Sequence, residues 1–387
     1  MGIPYGTRDF LPAEAKEKRA IESLIVRNFM RWGYDEIVTP VFEFLDTLTM
    51  GNGRSIEPYM FKFFDRQNRT VALRHEMTTP IARVAASRMN GADLPLKFFY
   101  LSPVYRYEQA QTGRQCEFYQ AGVEFMGSDS EAADAEVLAL SISSMKNAGL
   151  KNFQVCLGQV DFIHGLMREL HLDAKAQEAV KVALEEHDLV GLRTLADQSD
   201  LTESEKNKLL GVPLLHGGPE ILKQTRSLVT NEQSRRALDN LQSIYRLLEI
   251  YGAEEYVKFD LGVIRDFGYY TGMVFEAYTP GLGFPLCGGG RYDHMLSDFG
   301  SACPATGFAL GIERIMLALE REHLKSPTPP KDTYISYATG QRNKAIKLAA
   351  ARREEGEIVE LSPSEETRDE ASRHQKTRGY RELVYVE

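Results

Sequence analysis

The chain has 387 residues, with 46 Lys and Arg against 55 Asp and Glu for a formal charge of −9, and 43% of it is hydrophobic. That length exceeds what one simple core serves, so two or three domains are expected. The composition is ordinary for a globular protein and gives no sign of disorder, and the acidic total argues weakly against a broad nucleic-acid surface while leaving room for a local basic patch.

No apolar run approaches the roughly 20 residues that span a bilayer, and MGIPYGTRDFLP at the start lacks a basic segment followed by an apolar one. A cytoplasmic protein with no membrane contact is the expectation. Cys116, Cys156, Cys287 and Cys303 form no CxxC pair, so reduced thiols are expected and a metal site is not.

Residues 13 to 32 carry apolar side chains at helical spacing, and Gly33 follows as a stop. Tyr34 to Pro40 is an extended run closed by proline. Residues 59 to 73 read as a hairpin around the polar turn Asp65 to Arg69. Arg74, Glu76, Thr78 and Thr79 then precede Pro80, which suits the first turn of a helix from Ile81 to Met89. A carboxylate just before a helix either caps it or, pointing elsewhere, meets a cation.

From Pro103 to Gly127 two extended segments flank a turn-rich loop at Gln109 to Gly113. Alternation puts Glu117, Tyr119, Ala121, Val123 and Phe125 on one face of the second segment, and Phe118, Gln120, Gly122, Glu124 and Met126 on the other. Gln120 and Glu124 frame Gly122, where a small ligand could meet backbone. Arg106 and Glu108 share a face of the first segment. The assortment suits a zwitterion or a nucleotide, and equally a half-solvated antiparallel pair.

Residues 131 to 148 predict a helix and Phe153 to Gly158 a strand. About 161 to 253 reads as a helical insertion, whose His164, His171, His187 and His216 lack metal-ligand spacing. Strands return at Val257 to Leu261 and Met273 to Tyr278, with Arg265, Tyr269 and Tyr270 between them. The triplet Gly288 to Gly290 brings a backbone close to a ligand or to another strand; Arg291, Tyr292 and Asp293 follow. Pro304 to Arg314 is a strand leading into a helix. After the proline-rich 323–332 linker, strands at 334–337, 358–361 and 383–386 alternate with two charged helices. Residues 331 to 387 hold 11 Lys and Arg and 11 Asp and Glu, which does not suit an RNA-gripping surface.

Several of these stretches, in the same order, resemble the class II aminoacyl-tRNA synthetases and among them the histidyl branch. The stretch Pro103 to Gly127 is similar to motif 2, the helix and strand ending at Pro40 to motif 1, and Pro304 to Arg314 to motif 3. The resemblance implies an α+β fold over residues 1–322: an antiparallel sheet flanked by helices, with the helical insertion. The 333–387 unit is truncated relative to an anticodon-binding domain. The resemblance also implies a histidine pocket in which Glu76, Thr78 and Gln120 receive the ammonium, Arg265 meets the carboxylate, and Glu124 with Tyr270 takes the imidazole, beside Tyr269 and Tyr292. Arg106, Glu108, Arg114 and Arg314 match nucleotide or phosphate positions, and Tyr34 to Glu43 matches a homodimer interface.

The chain departs from the synthetase pattern at Gly113-Arg114-Gln115-Cys116, where a second arginine is usual. Losing that charge-assisted contact costs about 1.5 to 3 kcal/mol, one or two decades in ATP affinity. Arg265 to Tyr270 and Glu76 to Arg83 also differ, and the latter resembles the regulatory-subunit family of ATP phosphoribosyltransferase. That resemblance implies a subunit without catalytic residues, cofactor or tRNA. It would bind L-histidine as a feedback effector and partner a short catalytic subunit in a hetero-oligomer, a hetero-octamer. A histidyl-tRNA synthetase, or a module of this fold binding another small signal, are the alternatives.

Overall fold

The structure is a computed structural model that describes residues 2–107, 115–262, 269–300, 302–324 and 331–387. Glu108, Arg114 and Arg265 lie outside the described residues. The chain falls into two compact units, Met1–Ser326 and Pro327–Glu387.

The first unit opens with α1 (Pro12–Arg31), which has a proline in its first turn and buries Ile21, Ile25 and Phe29 at fourfold spacing. Strand β1 (Asp35–Glu36) is shorter than the expected run to Pro40. Past Glu36 the Thr39 and Pro40 carbonyls accept from the Arg74 side chain instead of a ladder. Strand β2 (Phe42–Phe44), which alternation did not reveal, precedes α2 (Leu45–Asn52). It pairs with β4 (Thr70–Leu73), which also pairs with β3 (Lys62–Phe64) across the expected turn. The Asp65 carboxylate accepts from the Gln67 and Arg69 amides there.

Helix α3 (Thr78–Arg88) starts three residues before the expected Ile81, because the Glu76 carboxylate accepts from the Thr78 and Thr79 amides. Strands β5 (Leu96–Tyr105) and β6 (Glu117–Met126) follow, and then α4 (Glu131–Asn147), capped by Ser130. Strand β7 (Gln154–Gln159) leads into α5 (Val160–Glu169), α6 (Ala174–Glu185), α7 (Leu189–Gln198) and α8 (Glu203–Gly211). A short β8 (His216–Gly217) precedes α9 (Glu220–Arg226) and α10 (Glu232–Tyr251). The unit closes with β9 (Val257–Asp260), β10 (Met273–Tyr278), β11 (Cys287–Arg291), β12 (Ala305–Gly311) and α11 (Ile312–Arg321).

Nine of these strands make one sheet in the order β1-β5-β6-β12-β11-β10-β7-β9-β8. It is antiparallel except where β1 joins β5 and β7 joins β9. Odd-numbered residues of β6 (Ala121, Val123, Phe125) face a large core with Phe29 of α1 and Leu138 of α4. On the opposite face Phe98, Tyr100, Met126 and Tyr292 pack with Met77 and Ile81 around α3. Glu124 and Gln120 belong to this second face, so the chemistry sits opposite the main helical layer.

In the second unit β13 (Lys331–Tyr337), α12 (Arg342–Glu354), β14 (Val359–Leu361), α13 (Arg368–Arg378) and β15 (Tyr380–Val386) form a parallel sheet in the order β14-β13-β15. Alternate residues of β13 serve two small cores: Ile335 with Ala349 of α12, and Tyr334 with Ala371 of α13.

Candidate functional site

A cavity of about 370 Å³ opens on the α3 face of the sheet, within the range of small-ligand pockets. The chain around α3, together with β5, β6, β11 and β12, supplies its walls. Glu76, Thr78, Gln120, Glu124, Tyr269, Tyr270 and Tyr292 all line it, and so do Arg106 and Arg314.

Glu124 lines it and is only 2% exposed. The Thr78 hydroxyl donates to its Oε1 at 2.7 Å, and the Tyr292 hydroxyl donates to Oε2. Burial pushes the Glu124 carboxyl up to about 8; the bonds from Tyr292 and Thr78 pull it down, and the Glu76 charge pushes it up again. A cation or an imidazole N–H entering the cavity would relieve that desolvation. Tyr269 stands edge-on to Tyr270, ring centroids 4.7 Å apart, and tilts against Tyr292 at 5.3 Å.

Toward the other end the Arg106 Nε donates to the His75 carbonyl at 3.0 Å, with its guanidinium 5.4 Å from the Phe118 ring centroid. Arg314 donates to the Pro285 carbonyl at 2.6 Å and lies over Phe284. His75 is buried, and burial holds its imidazole down at about 4, in the neutral form.

One sequence expectation needs correction. The gap at Gly122 is filled: a side chain there would strike the Phe308 carbonyl and the Tyr100 ring, because Tyr100 is the cross-strand partner of Gly122. The glycine makes room for a tyrosine and not for a ligand. Of the two roles expected for the triplet, Gly289 and Gly290 take the approach to another strand: they make room for the Gly307 and Met273 carbonyls, and Gly290 also for the Tyr270 ring.

Comparison with known proteins gives these residues a context. A family model described as histidyl-tRNA synthetase matches residues 6–315. An ATP phosphoribosyltransferase regulatory subunit of Moorella thermoacetica is 41% identical, covering 97% of this chain and 96% of the relative. One from Desulforamulus reducens is 40% identical over 99% of this chain and 95% of the relative. The chain belongs to the family of ATP phosphoribosyltransferase regulatory subunits.

A crystal structure from Bacillus halodurans described as an ATP phosphoribosyltransferase regulatory subunit/histidyl-tRNA synthetase matches this member of the regulatory-subunit family with a TM-score of 0.88. It is 35% identical and covers 100% of this chain and 98% of that one. A histidyl-tRNA synthetase from Nostoc shares the fold, with a TM-score of 0.86 at 20% identity over 99% of this chain and 90% of that one.

Sequence reasoning missed two supports of this regulatory-subunit pocket. Tyr100 lines the cavity, and period-2 alternation along β5 with the Gly122 pairing was the signal for it. Arg291, 6% exposed, pairs with Asp134 of α4 at 2.8 Å and with Asp293 at 3.0 Å, anchoring the residues on either side of Tyr292. No sequence pattern links Arg291 to Asp134, 157 positions away.

Proposed function

We propose that the chain is a non-catalytic subunit that binds L-histidine in this cavity and sets the activity of a short catalytic subunit of ATP phosphoribosyltransferase, the first step of histidine biosynthesis. The observation that carries the reading is the buried Glu124 with its two hydroxyl partners in the cavity wall. Histidine offers an imidazole N–H to this carboxyl and a cationic ammonium to Glu76 and Gln120. Glu76 already accepts two amides at the start of α3, and a carboxylate keeps further lone pairs for an ammonium. Arg265 is the proposed partner of the carboxylate. Histidine binding would bias a two-state hetero-oligomer with a coupling of about 1 to 3 kcal/mol.

Homodimerisation through Tyr34 to Glu43, within a hetero-octamer, completes the proposal. Val38 is 79% and Phe42 52% exposed on that segment, which suits a surface covered by a second copy. A second reading, residual histidine activation, is favoured by Arg106 and Arg314 lining the same cavity.

Calorimetric titration with L-histidine, ATP–pyrophosphate exchange, and the rate of a reconstituted short catalytic subunit with and without this chain test both. Binding without exchange, plus a histidine-sensitive change in the catalytic subunit's rate, is the expected result. Robust exchange turns the assignment to a synthetase, and absence of histidine binding overturns both.

A further inference from the structure

We propose that Arg74 is the positioning residue of the ligand loop: it holds residues 75–78 at the cavity through main-chain carbonyls of two other segments and contacts no ligand itself. The inference rests on the histidine reading of the cavity and adds the residue that shapes it.

Arg74 is 3% exposed. Its Nε donates to the Pro103 carbonyl at 2.9 Å, at the end of β5. Its Nη1 donates to the Thr39 carbonyl at 2.9 Å and the Pro40 carbonyl at 3.2 Å. Its own amide donates to the Val41 carbonyl at 3.0 Å, and its carbonyl accepts from the Tyr105 amide at 2.9 Å. Among the described residues no carboxylate forms an ion pair with it. A guanidinium presents its donors in a fixed planar fork, so three carbonyls from two segments define one position for the residue. A smaller side chain would leave the buried Thr39 carbonyl, and the half-buried Pro103 carbonyl, without this donor.

Residues 75–77 lie between β4 and α3, Thr78 opens α3, and each of the four is pinned to a different part of the cavity. The His75 carbonyl accepts from Arg106, the Glu76 carboxylate caps α3, Met77 is buried against Tyr100 and Tyr292, and the Thr78 hydroxyl reaches Glu124. Arg74 is where this run is fastened to the rest of the sheet, by its main chain to Val41 and Tyr105 and by its side chain to Pro103, Thr39 and Pro40.

The test compares Arg74→Ala and Arg74→Lys with Asn28→Ala. Asn28 binds Ser143 and Ser144 between α1 and α4, on the opposite side of the sheet. Histidine affinity of the full chain is read by calorimetry. Main-chain hydrogen exchange of residues 74–80 is read on the ligand-free chain. The expected result is a loss of about tenfold to a hundredfold in affinity for Arg74→Ala, a smaller loss for Arg74→Lys, and partial recovery of Arg74→Ala by methylguanidinium. Exchange at 74–80 rises while that of 131–147 stays, and Asn28→Ala keeps its affinity.

Unchanged affinity in Arg74→Ala, or an equal loss in Asn28→Ala, overturns the proposal. Should Arg74→Ala not fold, Arg74→Lys carries the same comparison. Should the wild type bind no histidine, the histidine reading fails by itself, and the exchange at 74–80 still decides the role of Arg74: no rise overturns it.

Discussion

The Thr78 hydroxyl donates to Glu124 Oε1 at 2.7 Å and so ties the first turn of α3 to β6 in the cavity wall. With Tyr292 on the other oxygen, the carboxyl of Glu124 is satisfied without any cation, yet stays costly to ionise. Burial raises it from 4.5 to about 8. A carboxyl whose folded value is raised contributes stability that is whole below its unfolded value and is lost as pH rises through the folded one. The chain should therefore lose stability between about pH 5 and about pH 8 through this group, at about 1.4 kcal/mol per unit at most. Urea denaturation of the wild type and Glu124→Gln at both ends of that window checks it: the wild type should fall relative to the variant. Parallel curves would show that Glu124 does not titrate there.

Histidine binding should follow the same proton. Free imidazole titrates near 6.5 and Glu124 near 8, so between those values the pair carries one proton before and after binding. Below that window a second proton must leave, and above it one must be taken up. Affinity is expected to pass through a maximum at about pH 7 and to drop about tenfold per unit beyond either limb. Calorimetry in buffers of different ionisation heat measures the proton count directly. A pH-independent affinity from 5 to 9 would place the imidazole away from Glu124.

A second copy is expected to cover the exposed apolar residues around the end of the motif 1-like segment. Val38→Asp changes a surface position of the single chain and should alter its intrinsic stability by no more than about 0.5 kcal/mol, whereas Phe42→Glu also gives up the edge-on contact with Phe63 and should cost about 0.5 to 1.5 kcal/mol. Each should shift sedimentation from dimer to monomer. A wild type that is monomeric at tens of micromolar, or variants that stay dimeric, would move the interface elsewhere.

Gly122→Ala is expected to destabilise the fold by about 1 to 3 kcal/mol, because the added carbon meets the Phe308 carbonyl as well as the Tyr100 ring. Shortening the tyrosine relieves only half of that conflict. The double variant Tyr100→Ala with Gly122→Ala should therefore remain less stable than Tyr100→Ala alone in thermal melts. Full recovery would mean that the carbonyl yields and that only the ring holds the glycine in place.

Periodicity made the sheet faces legible. Alternation along β6 sorted Val123 from Glu124 correctly, since one face met α1 and α4 and the other met α3. Caps were harder to read. The Glu76 carboxylate starts α3 at Thr78, whereas the fit of Pro80 to a first turn placed the start at Ile81. What sequence could not convey were partners set by tertiary approach: Arg74 with the Thr39 carbonyl and Arg291 with Asp134. Each joins segments far apart in the chain, and a guanidinium satisfied by carbonyls leaves no complementary charge to search for.

The same limit governs the altered phosphate motif. At the place of the second arginine stands Cys116, 2% exposed, its thiol packed against Gly6. The Cys116 amide donates to the Gly6 carbonyl at 2.8 Å, and its own carbonyl accepts from the Arg106 amide at 2.9 Å. An arginine at this position must bury a charge beneath the N-terminal segment or push that segment away. Cys116→Arg is therefore expected to cost about 3 kcal/mol or more in stability and to yield no ATP–pyrophosphate exchange. Melting temperature and exchange rate are measured on one preparation. Exchange gained without loss of stability would show that the N-terminal segment lifts readily, and that one side chain separates this pocket from one that activates histidine.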